Sequence, residues 1–260
     1  MLKKFSCPGC GADLFFKSNA SLFKVCVSCG SVLDATNKQY EILCQYKKIP
    51  KFDPYLELGS MGTLLGTKWM IVGYMIRSDE TNVYFWDEYL LYNPQKGFRW
   101  LVEYQGHWSF VVTVKGKPEI NFAGGARYYN RNYKLFLKGQ ARVHYVVGEF
   151  YWKIEKAEVS EVSDYICPPE MLSLEKPQGD VVWSLGQYVE REKIQVAFSP
   201  KKVLPVQVGV APHQTSPHAA TEKTIFQYFC CFITFLLAFN ILMTFWSADK
   251  VVYSFLHTAT

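Results

Sequence analysis

Cys7-x2-Cys10 and Cys26-x2-Cys29 are the residues of this chain whose types and spacing best suit chemistry. Two cysteines at that spacing grip one ion from a tight turn. Two such turns close an S4 shell, the tetrahedral geometry that Zn2+ favours. Gly9, Gly11 and Gly30 supply backbone freedom beside the sulfurs. The spacing predicts a structural Zn2+ held by Cys7, Cys10, Cys26 and Cys29, with no open coordination position and so no catalysis at the metal. Two disulfides and an iron centre are the competing assignments. Disulfides need an oxidising compartment, and nothing here resembles the thioredoxin-like unit in which a redox C-x-x-C pair follows a strand. A module this small has too little core to fold without its ion. Cys26→Ser is therefore expected to unfold residues 1–34 and to leave the rest folded.

Two carboxylates come next. Glu88 and Glu149 each adjoin aromatic residues, and a carboxyl against an aromatic wall can be held neutral and act as a general acid. On a strand the same residue type also accepts hydrogen bonds that fix a corner. His107 and His144 lie within strand-like segments, with no nucleophile spacing beside them. No catalytic residue is assigned. Gly59-x2-Gly62-x3-Gly66 fits neither G-x-G-x-x-G nor a P-loop, so these glycines read as strand turns. Arg127-Tyr128-Tyr129-Asn130-Arg131-Asn132-Tyr133-Lys134 interleaves bases with aromatics, as single-strand binders do, and equally suits a solvated loop entering a strand.

The elements that must position these groups are mostly strands. The 260 residues are 49% hydrophobic and 17% aromatic, enough for one full-sized core with small appendages. Over residues 59–198, short aromatic or β-branched segments alternate with breakers such as Asn93-Pro94, Gln105-Gly106 and Lys115-Gly116. That rhythm predicts a mainly β domain, an antiparallel sandwich or barrel. Asp164–Glu175 is expected to give a turn of helix after Pro168-Pro169. The ribbon is assigned to 1–34, a connector to 35–58 and an extended Pro-rich linker to 199–224. Residues 1–52 hold eight Lys/Arg against three Asp/Glu, residues 53–220 eighteen of each, and residues 221–260 two of each. The excess of +5 therefore sits on the N-terminal module. Four thiolates on one Zn2+ would reduce it to about +3. Such a charge suits an anionic membrane surface, and nucleic acid is not expected, because its binders show a concentrated basic face.

Ile225–Trp246 runs 22 residues without a charge, a helix of about 33 Å, which matches bilayer hydrocarbon. Tyr228 and Trp246 stand where aromatic belts form. Lys201, Lys202 and Lys223 precede the run and Lys250 follows it; with the reducing compartment that free thiols need, this puts residues 1–224 in the cytoplasm. No signal peptide is visible, and residues 247–260 read as an extracytoplasmic tail. Asn240 lies deep in the run and either marks self-association or bonds within its own helix. Cys230 and Cys231 read as apolar filler.

The middle of the chain resembles the bacterial family named domain of unknown function 4178. The resemblance rests on Trp86-x-Glu88-Tyr89-Leu90-Leu91, Trp100-Leu101, Gly106-x-Trp108, Gly148-Glu149-Phe150-x-Trp152, Pro168-Pro169 with Leu172 and Glu175, and Trp183-Ser184-x-Gly186-x-Tyr188. It implies bacterial membrane-associated proteins with an N-terminal zinc ribbon and, after this domain, transmembrane segments. In some members a further domain follows, of which VVYSFLHTAT would be the start. The family brings no activity with it. The reading is a single-pass membrane protein, its N-terminal region cytoplasmic, acting as a non-enzymatic module that binds protein partners or senses a signal. An enzyme using Glu88 or Glu149, and nucleic-acid binding by the ribbon, are the alternatives.

Overall fold

The computed structural model describes residues 4–46, 53–122, 124–155, 158–177, 180–216 and 219–258, the last segment with side chains only over 223–244. The chain divides into two compact units, Met1–Gln214 and Thr215–Thr260.

The first unit begins with five short strands: β1 (Lys4–Ser6), β2 (Asp13–Phe15), β3 (Phe23–Val25), β4 (Ser31–Asp34) and β5 (Ile42–Gln45). The four-residue β6 (Met61–Leu64) is followed by longer strands: β7 (Thr67–Asp79), β8 (Phe85–Asn93), β9 (Gly97–Tyr104) and β10 (His107–Thr113). After the small strands β11 (Glu119–Ile120) and β12 (Ala126–Tyr128) come β13 (Arg131–Phe150), β14 (Val159–Cys167), β15 (Glu170–Pro177) and β16 (Val182–Val189). Antiparallel pairing runs β7-β8-β9-β10-β16-β15-β14-β13, and β13 pairs back onto β7. The result is a closed eight-stranded barrel, the barrel alternative of the sequence expectation.

Alternation along the strands builds two apolar faces. On one, Tyr74 and Ile76 of β7, Tyr89 and Leu91 of β8, Leu101 of β9 and Trp108 of β10 form the main core. Leu56, Leu204 and the short helix α1 (Arg191–Phe198), through Ile194 and Phe198, complete it. The opposite face carries Val72, Met75, Leu90 and Phe150, which pack against Phe23, Val25 and Val32 of the N-terminal strands.

The ribbon is therefore not a separate module. β3 pairs with the C-terminal end of β13 and carries β4 and β5 with it, so the N-terminal strands continue the barrel's own sheet. Gly148 sits where β13 meets β7 on one side and β3 on the other. Its φ is +99°, and a Cβ there would lie 2.3 Å from the Val72 carbonyl oxygen, so only glycine fits this junction. The expected connector contributes β5 and the buried Leu56; its residues 47–52, with Pro50, lie outside the described residues.

Three expectations need correction. Asp164–Glu175 forms no helical turn: β14 and β15 pair as a hairpin around Pro168-Pro169, because Tyr165 and Leu172, cross-strand partners, are both needed in an apolar cluster. The linker assigned to 199–224 is not a free spacer: up to residue 214 it belongs to the first unit and lies against the barrel. There Leu204, Ala211 and His213 are buried, and Val208 N–H donates to the Gln105 carbonyl at 2.9 Å. Finally, the second unit is one helix, α2 (Ala219–Thr258), so residues 219–224 of the linker and 247–258 of the tail are helical. Within α2, Lys223–Thr244 is long and apolar enough to cross a membrane, and its side chains are exposed. A helix apolar on all sides has no single buried stripe to offer a soluble core. The side chain of Trp246, expected in an aromatic belt, lies outside the described residues.

Candidate metal centre

The four predicted cysteines converge. Their sulfurs all lie within 4.8 Å of one another, with Cys7 to Cys29 and Cys10 to Cys26 both at 3.7 Å. A tetrahedral ion with bonds of about 2.3 Å sets sulfur–sulfur edges of about 3.8 Å, so the donor set fits a thiolate-bound metal. The same distances are far from the ~2.05 Å of a disulfide. Each knuckle is a hydrogen-bonded turn: Gly11 N–H donates to the Cys7 carbonyl and Gly30 N–H to the Cys26 carbonyl, both at 2.8 Å. Gly30 has φ +77°, and an added Cβ would strike the Tyr46 carbonyl oxygen at 1.8 Å. Without a metal, burial pushes the Cys7 thiol up to about 12, while the Ser31 hydroxyl, 3.2 Å from Cys29, draws that thiol down to about 6. Cys7 and Cys26 are buried and Cys10 is exposed.

Glu149 ties this centre to the barrel. It is fully buried and accepts hydrogen bonds from the backbone N–H of Lys17 at 2.6 Å and of Ser18 at 3.0 Å. It also pairs with Lys24 Nζ at 3.0 Å. Lys24 lies on β3, two residues before Cys26. Glu149 is thus a corner-fixing acceptor.

Glu88 is engaged as well. Trp86 Nε1 donates to it at 2.7 Å, and Arg77 approaches at 3.4 Å while also gripping Glu175. Burial raises Glu88 above the usual carboxylate range. Glu175, half-buried, ends below that range because Arg77 bonds it directly. The two histidines are equally committed: His107 meets the Tyr188 hydroxyl at 3.0 Å and the Val208 carbonyl at 3.2 Å, and His144 meets the Ser78 hydroxyl at 2.8 Å. Asn240 Nδ2 donates to the Leu236 carbonyl at 2.9 Å, one turn back in its own helix.

Sequence reasoning missed two clusters. Asp87 and Glu103 face each other across β8 and β9, on the face that carries Tyr89. Burial raises Asp87 to about 6 and Glu103 to about 7. Strand alternation from Glu88 was the available signal: its immediate neighbour had to point to the other side. The second cluster is His213, whose Nε2 lies 2.7 Å from the Ser109 hydroxyl. Burial, then His107 nearby, lower it to about 4.

Two open surface depressions are seen among the described residues. One is lined by Thr63, Leu64, Leu65, Glu192, Lys193 and Val196, the other by residues of 115–129 including Lys115, Arg127 and Tyr129. Neither reaches Glu88, Glu149, Asp87 or Glu103. No curated protein and no solved structure matches the chain. Residues 57–191, which hold β6 to β16 and make up just over half of the chain, match the family described as domain of unknown function (DUF4178), and the protein belongs to that family.

Proposed function

We propose that this is a membrane-anchored zinc-ribbon protein, a non-enzymatic interaction or sensing module at the inner face of a bacterial membrane. The observation that carries the reading is the clamp at Glu149. A carboxylate with three donors on it is committed to holding the ribbon on the barrel, and Glu88 is committed in the same way to Trp86 and Arg77. A general acid or base needs a lone pair or proton free for substrate and an approach to it, which removes the support for an enzyme built on these two residues. The ion in this reading is zinc, because a closed shell of four thiolates with no open position suits a structural zinc site. The lysines before the apolar run and the free thiols both favour a cytoplasmic ribbon.

Full-length chain purified in detergent is expected to carry one zinc per chain. Protease added outside sealed cells is expected to spare residues 1–214. Iron in place of zinc, or removal of the ribbon from outside, ends this reading. Crosslinking in intact cells should trap protein partners that Cys10→Ser loses; an unchanged set of adducts would take the ribbon out of the interaction.

A further inference from the structure

Residues 115–138 hold six Lys/Arg and one Asp/Glu, although residues 53–220 as a whole are balanced. This segment also carries exposed apolar groups. Lys134-Leu135-Phe136-Leu137-Lys138 lies on β13, where the pairing to β14 steps from Leu135 opposite Tyr165 to Leu137 opposite Asp164. Phe136 is the extra residue of a β-bulge. Leu135, Phe136 and Leu137 are 40%, 51% and 48% exposed, and both framing lysines are exposed. Single exposed apolar residues need no explanation, but three in succession do. The neighbouring hairpin of β11 and β12 pairs onto Arg131–Tyr133 and adds exposed Ile120, Phe122 and Tyr129, with Lys115, Lys117 and Arg127 around them.

We infer that this face of the barrel docks on an anionic bilayer surface, with Phe136 at the acyl boundary and Lys134 and Lys138 on the headgroups. The charge supplies the argument for that occupant. Lysines worth about fivefold each in partition to an acidic membrane frame an apolar wedge, the arrangement of an interfacial anchor. The backbone argues against a protein strand in the same place. Along one edge, β13 pairs with β12 only to Tyr133 and with β7 only from Ala141, and Glu80 accepts from the Gln140 N–H at 2.9 Å, which leaves residues 134–139 without strand pairing there. A bulge and flanking lysines on an open edge are features that discourage strand addition, by another protein or by a second copy. The inference rests on the membrane anchorage proposed above, since α2 is what brings the barrel to lipid.

The test uses the full chain, reconstituted in vesicles, with a benzophenone amino acid at position 136 and, as a control, at exposed Val196 on α1. Alkaline extraction first reads the anchorage: chain that washes off overturns the membrane reading itself. For retained chain, position 136 is expected to crosslink to lipid in vesicles containing phosphatidylglycerol, and far less in phosphatidylcholine alone or at high salt. Lys134→Glu with Lys138→Glu should lower the docked-to-free ratio at least about 25-fold. Equal lipid adducts in neutral vesicles, equal adducts from position 196, insensitivity to the double variant, or crosslinks to a second copy would each overturn the docking surface while leaving the anchorage standing.

Discussion

Glu149 shows how far a single residue could be read from the sequence. Its aromatic neighbours suggested acid–base chemistry, yet a carboxylate's role depends on what reaches its oxygens, and here those donors come from Lys17, Ser18 and Lys24, more than a hundred residues away. Glu149→Gln would leave Lys24 buried without its counter-charge, a loss of about 3–5 kcal/mol. The denaturation midpoint of the barrel should fall accordingly, and an unchanged midpoint would show that the clamp is idle. His213 gives a pH signature. Its pKa is held at about 4 in the fold against about 6.5 when unfolded, so its contribution is complete above pH 6.5 and is lost as the pH falls towards 4, by about 1.4 kcal/mol per unit. Asp87 and Glu103 act in the opposite sense: raised to about 6 and about 7, they favour the fold most at low pH and lose that effect as the pH rises through those values. The stability of wild type minus that of His213→Gln, followed from pH 7.5 to 4.5, should isolate the histidine, and a flat difference would refute its assigned state.

The strands were legible because their alternation and breakers are local signals, and the cysteine spacing fixed the metal knuckles for the same reason. What joins them was not. Nothing in Phe23–Val25 announces that this three-residue strand will pair with Gly148–Phe150, and eight residues of α1 are too few for a helical period to stand out. The strap over 199–214 was masked by its prolines, although Leu204 and His213 are the residues that bind it down. The pairing of β3 with β13 changes the expectation for Cys26→Ser. Loss of the metal should not leave an intact barrel beside an unfolded ribbon, because β3 brings Lys24 to Glu149. The variant, or treatment with a strong chelator, should lower the melting temperature of the whole first unit in a single transition. Two separate transitions, the upper one unshifted, would restore an autonomous ribbon. Gly30→Ala, which forces a side chain into the Tyr46 carbonyl, should do similar damage with all four cysteines in place.

At the scale of the whole molecule, family membership and the barrel agree: residues 57–191 contain all eight barrel strands in full. The apolar run was plain in the sequence because the bilayer's thickness demands an uninterrupted stretch. The extent of the helix around it was not, since Asp249 and Lys250 look like an ending and the backbone continues helical to Thr258. At 1.5 Å per residue the 40 residues of α2 make a rod of about 60 Å, twice the depth of the oily layer it is suited to cross. With Lys223–Thr244 in the bilayer, roughly half of that rod would stand in water or among headgroups as a stiff extension of the span.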